Sequence, residues 1–380
     1  MSETHHFFLV PGFFGFVNMG EFKYFSHPVH YLKSRGRELG KTVRVTSVGT
    51  HPTASLRKRS LLLFETIRRE SRDHSGPLHL VGHSTGGLDG RLLLTPGAVL
   101  KKNLDLEPWI SRVKTLVSIS TPHYGAPLAK YFGGSMGGPL LKLLSLTTIY
   151  TLRYGHLPLS FILKLSSLLF RLDNIVGWRN TVADQLFDEL LSGFFPIRRK
   201  QVSNWFREIG SDQDLLFQLT PSAMDVFNAS TGDNPETRYA SVITMGRRPG
   251  PGGRLASGLN PYNQATHTAY EVFHRFAALG SKMASHLTLQ QESAIKHTLF
   301  RMPSARDNDG VVPTLSQPWG EVIHAVRGDH LDIIGHFSGE NLDPPHVDWL
   351  SSGSGFTKMD FETTWNKILQ FCLFDNKRNK

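Results

Sequence analysis

The sequence feature that most constrains this chain is a Gly-x-Ser-x-Gly pentapeptide that directly follows a short apolar run. The run Leu78–Val81 predicts a buried strand, and the pentapeptide Gly82–Gly86 predicts a sharp turn into a helix. Glycines two residues before and two residues after the serine let the backbones approach each other closely. Ser84 would then point its hydroxyl out beyond the end of a sheet strand. The amide of Thr85 and the positive end of the helix would face a developing oxyanion, so we predict a catalytic serine with Thr85 as an oxyanion-hole donor.

Strand and helix patterns alternate along the first third of the chain. The apolar strands Phe7–Val10, Thr42–Ser47 and Thr115–Ile119 are separated by segments with helical spacing, of which Ser55–Glu70 is the longest. Because right-handed crossovers join such strands in parallel, the pattern predicts an α/β fold with a mainly parallel sheet flanked by helices. Ligand sites of these sheets lie beyond the carboxyl ends of the strands. The length of 380 residues fits a single domain, residues 1–380, that carries a large insertion.

The first strand runs into a Gly-rich aromatic turn, Pro11–Phe16. A turn at this place in an α/β chain is where such enzymes carry the second oxyanion donor. We predict the backbone amide of Phe13 as that donor. The alternative is an ordinary aromatic loop that anchors the core.

Composition excludes several classes of protein. The 42 Lys and Arg residues against 32 Asp and Glu residues give a net charge of +10, but the basic residues are dispersed and no nucleic-acid-binding motif is present. We therefore expect a basic solvated surface and no nucleic-acid partner. Cys372 is the one cysteine, which excludes an intramolecular disulfide framework and a Cys-rich metal site. No secretory signal is recognisable and no apolar run reaches the roughly 18 residues of a membrane span. These observations lead us to expect a cytoplasmic protein, with export by another route left open.

Several segments together resemble a known family. One of these segments is Gln218–Asn228, in which a Leu-Thr motif precedes a predicted helix that ends in Phe-Asn. Four more segments resemble, in order and approximate spacing, the bacterial triacylglycerol lipases of the Pseudomonas/Burkholderia type: Leu9–Phe16, Val45–Val48, Leu80–Gly87 and Ser120–Pro127. The resemblance implies an α/β-hydrolase fold that cleaves carboxylic esters of long-chain acids and requires no cofactor for its chemistry. The chain departs from the family at Pro11-Gly12, where the lipases usually have His-Gly.

An elbow serine needs a general base, and the base needs a carboxylate that fixes its tautomer. In α/β-hydrolases these two residues follow the serine in the order acid, then histidine. The favoured acid is Asp309 in the turn Asn308–Pro313, which we expect to follow a strand, and Asp307 remains a competitor. Asp309 also matches the Asn-Asp-Gly turn that supplies the acid in the resembling lipases. We therefore predict that Asp309 orients the base.

The favoured base is His330, which matches the His-Leu-Asp sequence that supplies the base in the resembling lipases. The chain contains 18 histidines, so His336 and His346 stay open as alternatives. His83 and His123 flank the site in the linear motifs. Because residues beside the elbow serine cannot easily swing their rings onto its hydroxyl, we predict structural roles for both.

The resemblance also implies a structural calcium ion. One of its ligands in the lipases is the aspartate two residues after the catalytic histidine, which corresponds to Asp332. A second carboxylate lies upstream of the acid in the family, and the matching stretch Leu287–Glu292 offers only Glu292. Calcium takes several oxygen ligands, often with two or more carboxylates. Asp332 is therefore the candidate calcium ligand.

Composition changes over residues 131–205. Gly133, Gly134, Gly137 and Gly138 precede Leu-rich segments such as Phe161–Phe170 that have amphipathic helical spacing. In the lipases this part of the chain is a mobile lid that exposes apolar surface at a lipid interface. We predict an inserted helical lid over 131–205, and the alternative is a helical subdomain that simply covers the sheet.

These motifs predict a serine hydrolase that cleaves carboxylic esters of hydrophobic acids, most simply a lipase or lipid esterase with Ser84, Asp309 and His330 as its catalytic residues. A lipid or other hydrophobic ester would be its substrate, with transient contact to a lipid interface. Alternative substrates for the same triad are an intracellular polyester or a phospholipid. A catalytically inactive hydrolase fold used as a binding module remains a further alternative.

Overall fold

The computed structural model describes residues 3–13, 24–102, 104–132, 143, 146–147, 150, 158–170, 180–196, 199–200, 203, 214–279, 286–339, 348 and 350–374. The strands in these ranges form a six-stranded sheet in the order β2-β1-β3-β4-β5-β6, and every neighbouring pair is parallel. The strands are β1 (Thr4–Val10), β2 (Thr42–Ser47), β3 (Leu78–His83), β4 (Val113–Ile119), β5 (Arg238–Met245) and β6 (Glu321–Arg327). The predicted mainly parallel sheet is thus confirmed.

Thirteen helices of at least four residues can be placed within the described ranges. In chain order they are α1 (Ser26–Glu38), α2 (Leu56–Glu70), α3 (Thr85–Leu94), α4 (Glu107–Ile110), α5 (Leu128–Phe132), α6 (Leu159–Phe170), α7 (Asn180–Ser192), α8 (Asp214–Gln218), α9 (Pro221–Ser230), α10 (Pro251–Ala256), α11 (Pro261–Ala278), α12 (Leu289–Leu299) and α13 (Lys358–Leu373). None of them combines the length and the apolar character that crossing a bilayer requires.

Helices cover both faces of the sheet because successive side chains of each strand point to opposite faces. On β1, Phe7 and Leu9 join the core on one face, while Phe8 and Val10 join the core on the other. Helices α1 and α13 pack against the first core, and most buried side chains of α2 pack into the second. From β1 the chain adds β2 on one side and β3 with the later strands on the other side, so the strand order switches between β1 and β3. The carboxyl end of β3 therefore lies at the point where such sheets bind ligands.

The segment 131–205 is described only in part. The four glycines at its start lie outside the described residues, as does most of the Leu-rich stretch 140–144. Helix α6 packs against α7 and α11. Its buried residues Phe161, Ile162 and Leu165 join the core that also contains Leu186 of α7. The described part of the segment is therefore helical and shares the main core.

Candidate active site

Ser84 occupies a strained turn between β3 and α3. Its backbone has φ 54° and ψ −128°, a left-handed φ that is uncommon for a residue other than glycine. Its amide donates a hydrogen bond of 2.8 Å to Ile119 O on the neighbouring strand, which fixes the turn to the sheet. A Cβ atom at Gly82 would overlap the backbone of Gly86, and one at Gly86 would overlap Val10 O. Both glycines of the pentapeptide are therefore required by close backbone approach.

His330 and Asp309 are joined by two hydrogen bonds. His330 Nδ1 lies 2.8 Å from Asp309 Oδ2, and the His330 amide donates to Asp309 O over 2.9 Å. Asp309 Oδ1 accepts from the amides of Val311 at 3.0 Å and Val312 at 2.8 Å, and Oδ2 also accepts from Thr244 Oγ1 at 2.8 Å. Because an ionised carboxylate only accepts, this arrangement holds the proton of His330 on Nδ1 and leaves Nε2 as the acceptor.

The loop that carries Asp309 does not follow a strand, so this part of the prediction was wrong. The residues before it belong to α12 and a connecting loop, and the next strand, β6, comes after it. The loop reaches the sheet edge sideways, because the amide of Gly246, just past β5, donates to Asn308 O over 2.9 Å. A left-handed φ of 95° at Gly310 turns the chain back. The acid thus arrives at the carboxyl end of the sheet through contacts with β5.

Asp307, the competing acid, has other partners. Its carboxylate binds Arg248 at 2.7 Å and Arg301 at 2.8 Å. Burial alone would raise the pKa of Asp307, but the hydrogen bonds from Arg301 and Arg248 outweigh it and hold that pKa well below its usual range. Asp309, and not Asp307, contacts His330.

Ser84, His330, Phe13 and Thr85 line one cavity of about 60 Å³. The described side chains around it are otherwise almost all apolar, namely Pro122, Ala126, Leu128, Ala129, Leu216, Leu219, Phe273, Val311, Val312, Leu331 and Leu350, with Tyr24 as a further polar member. Within the described residues no hydrogen bond joins Ser84 Oγ to His330 Nε2. Such bonds are often long in ligand-free structures. The structure brings together every residue predicted for the triad and the oxyanion hole.

The other predicted histidines have separate surroundings. His83 is fully buried beside the serine and hydrogen-bonds Tyr24 and the backbone of His330. His123 is also fully buried, where its Nδ1 lies 3.2 Å from Arg91 Nη1 and its ring stacks on Trp319. The His336 amide donates to Leu331 O, and the described lining of the cavity does not include His336. His346 lies outside the described residues.

A buried ion pair that sequence reasoning missed supports the turn that begins at Pro11. Arg59 on α2 and Asp89 on α3 have fully buried side chains joined at 2.7 Å. Arg59 Nη2 also donates to Pro11 O over 2.7 Å and Nη1 donates to His51 O over 2.8 Å. Burial raises the pKa of Asp89 to about 6, and the adjacent Arg59 opposes that rise. Nothing in the local sequence marks this pair, because its members come together only when α2 packs on α3.

Three buried carboxylates form a cluster, and two of them flank His330 in the sequence. The carboxylates of Asp329, Asp332 and Asp348 have oxygen atoms within 4.8 Å of one another. Burial and mutual repulsion raise the pKa of Asp329 and Asp332 well above the usual range, and burial raises that of Asp348 to about 6. Glu292, the second carboxylate considered from the sequence, is not in this cluster. The Asp-His-Leu-Asp sequence marks Asp329, whereas nothing in the sequence connects Asp348 to the site.

Comparison with known proteins agrees with this architecture. No family model matches the chain. Triacylglycerol lipase 2 of Saccharomyces cerevisiae is 30% identical over 116 residues, which are 30% of this chain and 32% of the yeast protein, so the match spans about a third of that relative. Lipase 1 from Pelosinus fermentans superposes with a TM-score of 0.53 at 17% identity and covers 97% of this chain and 99% of that one. The Staphylococcus hyicus lipase gives a TM-score of 0.48 at 15% identity over 97% of this chain and 95% of its own.

The likeness to the Pelosinus lipase concerns the fold. Together with the parallel sheet and the elbow, it confirms the predicted α/β-hydrolase fold. The solved structures named above are bacterial lipases, and they do not single out the Pseudomonas/Burkholderia type.

Proposed function

We propose that this protein is a serine hydrolase that cleaves carboxylic esters of hydrophobic acids, as a lipase or lipid esterase. One observation carries the proposal. A serine held at a left-handed φ shares an apolar cavity with His330, whose other ring nitrogen is bound by the buried carboxylate of Asp309. A tight turn without a catalytic role would explain the glycines, but it would not explain a histidine and a buried carboxylate beside the serine. A catalytically inactive binding module would need neither the histidine nor the carboxylate.

In the proposed mechanism Ser84 Oγ attacks the acyl carbon and His330 Nε2 takes its proton. The ester C–O bond breaks as His330 returns this proton to the leaving alcohol, which gives an acyl-enzyme. Water, deprotonated by His330, then attacks the acyl carbon, and the bond from that carbon to Ser84 Oγ breaks as His330 returns the proton to Ser84, which releases the acid. Asp309 stays ionised and stabilises the imidazolium through Nδ1–H. The amides of Phe13 and Thr85 hold the oxyanion, Thr85 at the positive end of α3.

The apolar lining supports an acid of hydrophobic character. We extend the proposal to the segment 131–205 as a cap on a single catalytic domain that contacts a lipid surface. Leu159 and Leu163 of α6 are 42% and 54% exposed, and Phe195 beyond α7 is 72% exposed, so these helices present apolar side chains outward. Helices with such side chains bind lipid interfaces by burying them among the acyl chains.

The test of catalysis is hydrolysis of p-nitrophenyl esters of graded acyl length by the wild type and by Ser84→Ala. We expect the variant to lose activity by a factor on the order of 10⁶, the size reported for loss of a triad serine. Ser71→Ala is the matched control, because Ser71 is fully buried at the far end of α2. Equal rates in wild type and Ser84→Ala would end the serine hypothesis.

The substrate class is decided by comparing wild-type rates on triacylglycerol emulsions, phospholipid vesicles and dispersed polyester. Faster hydrolysis above the concentration at which an ester forms an interface would support a lipase with a moving cap. Strict preference for short soluble esters would contradict the cap and the lipid substrate. Hydrolysis of phospholipid or polyester in preference to triacylglycerol would mean that the same triad acts on that substrate instead.

We also propose that Asp329, Asp332 and Asp348 hold a structural calcium ion. The residues fit the ion, because three buried carboxylates converge and Asp329 Oδ2 has no hydrogen-bond partner. The other Asp329 oxygen accepts from the amides of Leu331 and Asp332, so the cluster forms the turn that carries His330. A bound cation would neutralise the carboxylates and fix that turn.

Thermal unfolding measured with added calcium and with a chelator tests this site. We expect the melting temperature to fall in the chelator for the wild type. Asp332→Asn should melt at the same temperature under both conditions, because it removes one of the three carboxylates of the cluster. A wild-type melting temperature that does not respond to calcium or chelator would remove the case for the site.

A further inference from the structure

A chain of buried hydrogen bonds connects the oxyanion loop with the backbone of the base. Tyr24 Oη lies 2.7 Å from His83 Nδ1, and His83 Nε2 lies 2.9 Å from His330 O. Burial raises the pKa of the Tyr24 hydroxyl and the Gly12 backbone in the oxyanion loop lowers it, which places Gly12 beside that hydroxyl. All three side chains are buried, with exposed fractions of 3% for Tyr24, 0% for His83 and 2% for His330. None of these bonds is needed by the acyl-transfer steps above.

The donor and the acceptor of each hydrogen bond in this series can be assigned by starting from His330 O. His330 O can only accept, so His83 Nε2 must carry the hydrogen. Burial, and then the neighbouring His330, hold the pKa of His83 well below its usual range, so its Nδ1 carries a lone pair. Tyr24 must therefore donate to His83 Nδ1. Burial raises the pKa of Tyr24, so this phenol keeps its proton.

This series of hydrogen bonds connects the two parts of the site whose relative positions must be kept during acyl transfer. Gly12 lies against the nucleophile, because a Cβ atom there would lie 2.9 Å from Ser84 Oγ. His330 lines the same cavity as Ser84. His83 is adjacent to Ser84 in sequence, and its ring centroid lies 4.6 Å from that of His330. A displacement of about 1 Å between reacting groups costs about 100-fold in rate.

We propose that Tyr24 and His83 are positioning residues, which hold the backbone of the base His330 and the oxyanion loop at a fixed distance from Ser84. The proposal rests on the proposed hydrolase function for its kinetic consequence. The hydrogen-bond directions can be tested without it.

The kinetic test compares kcat and KM for a p-nitrophenyl ester in variants of the two residues. We expect Tyr24→Phe to lower kcat about 3- to 10-fold, the effect of one lost hydrogen bond, with KM within about two-fold of the wild type. His83→Leu removes both bonds of the ring and should lower kcat about 100-fold. His83→Gln should recover most of that loss, because a glutamine side chain can carry an N–H near the Nε2 position.

A double variant separates positioning from general loss of stability. Tyr24 acts on His330 through His83 but also lies beside the Gly12 backbone, so Tyr24→Phe should cost less in the His83→Leu background than in the wild type. His79→Gln is the matched control, because His79 lies on the same strand, is 1% exposed and also makes two side-chain hydrogen bonds. We expect it to lower the melting temperature and leave kcat unchanged. Multiplying effects in the double variant, or a changed KM with unchanged kcat, would overturn the proposal.

Nitrogen-15 NMR of the histidine rings gives a readout that does not depend on activity. The His83 signals, assigned by their loss in His83→Gln, should show a neutral ring protonated on Nε2. Tyr24→Phe should shift the Nδ1 resonance, because it removes the donor. A ring protonated on Nδ1 would refute the chain of bonds even in an active enzyme. If NMR shows the predicted tautomer but the protein has no hydrolase activity, the hydrogen bonds are supported and the proposed function is refuted.

Discussion

Replacement of Asp309 by asparagine tests the site most sharply, because it changes proton positions and almost no volume. The carboxylate receives donors on both oxygens: the backbone amides of Val311 and Val312 on Oδ1, and His330 with Thr244 on Oδ2. The backbone amides cannot turn away, so the single oxygen of an asparagine must stay on their side. Its NH₂ group then faces His330 Nδ1.

This geometry forces the wrong tautomer on the base. His330 Nδ1 would have to accept from the new amide, so Nε2 would carry the hydrogen and could not take the proton of Ser84. The equivalent change in another serine-histidine-aspartate triad lowers kcat about 10⁴-fold. At about 1.36 kcal/mol per factor of ten, this corresponds to a barrier about 5.4 kcal/mol higher. We expect a loss of this size in Asp309→Asn.

The assay is kcat for p-nitrophenyl ester hydrolysis, with the melting temperature measured in parallel. Asp307→Asn is the matched control, since it changes the same group two residues away and weakens the contacts with Arg248 and Arg301. We expect it to lose stability and keep kcat within about three-fold of the wild type, because Asp307 does not contact His330. A loss smaller than ten-fold in Asp309→Asn, or an equal loss in both variants, would refute the tautomer argument.

Three further predictions concern stability. Gly82→Ala should destabilise the fold by about 1–3 kcal/mol in chemical denaturation, because its Cβ atom would overlap backbone that cannot move aside. Arg59→Leu should cost about 3–5 kcal/mol in the same measurement, because it leaves Asp89 as a buried unpaired charge, and a cost near zero would contradict the buried pair. Burial, and then Lys367, lower the pKa of His324 to about 4. Between pH 6.5 and pH 4 the unfolded chain therefore protonates this histidine while the folded protein does not, so the free energy of unfolding declines as the pH falls. His324→Asn should flatten the decline of unfolding free energy in that window by up to about 1.36 kcal/mol per pH unit, whereas an unchanged slope would exclude His324 as a source.

Local sequence signals predicted the elements that lie next to Ser84. A short apolar run followed by Gly-x-Ser-x-Gly is sufficient to indicate strand, turn and helix, because the constraint acts within ten residues. The order serine, acid, histidine, together with the resemblance of the Asn-Asp-Gly and His-Leu-Asp sequences to those of the lipases, then selected Asp309 and His330 from the carboxylates and histidines downstream. These two residues are 21 positions apart, and the structure joins them at 2.8 Å.

Contacts between distant segments could not be predicted in the same way. Arg59 has the pattern of an ordinary residue on an amphipathic helix, and its partner Asp89 lies 30 positions away. Asp348 joins the carboxylate cluster from a segment that has no motif. The loop of Asp309 was expected to extend a strand, but it is attached to the end of β5 by backbone bonds that no periodicity reveals. In each case the deciding contact is made by the tertiary packing of separate elements.

The size of the cavity beside Ser84 bears on how a substrate of the proposed hydrolase would enter. At about 60 Å³ it has space for a few water molecules, whereas sites for ligands of drug size have roughly 300–1,000 Å³. A second, mostly apolar cavity of about 1080 Å³ lies on the other side of a wall to which Ala129 and Leu216 contribute. Leu216 is 3% exposed and lines both spaces. A long acyl chain therefore needs this wall to move or an opening through it.

Leu216→Ala should make such an opening. Removal of the isopropyl group should join the two cavities, so kcat/KM should rise for long acyl chains relative to short ones, at a cost of about 2–5 kcal/mol in stability. Leu215→Ala is the matched control, because the neighbouring Leu215 is fully buried but is not among the lining residues of either cavity. It should lose similar stability and keep the chain-length profile of the wild type. The same profile in both variants would mean that the acyl chain leaves the catalytic cavity by another route.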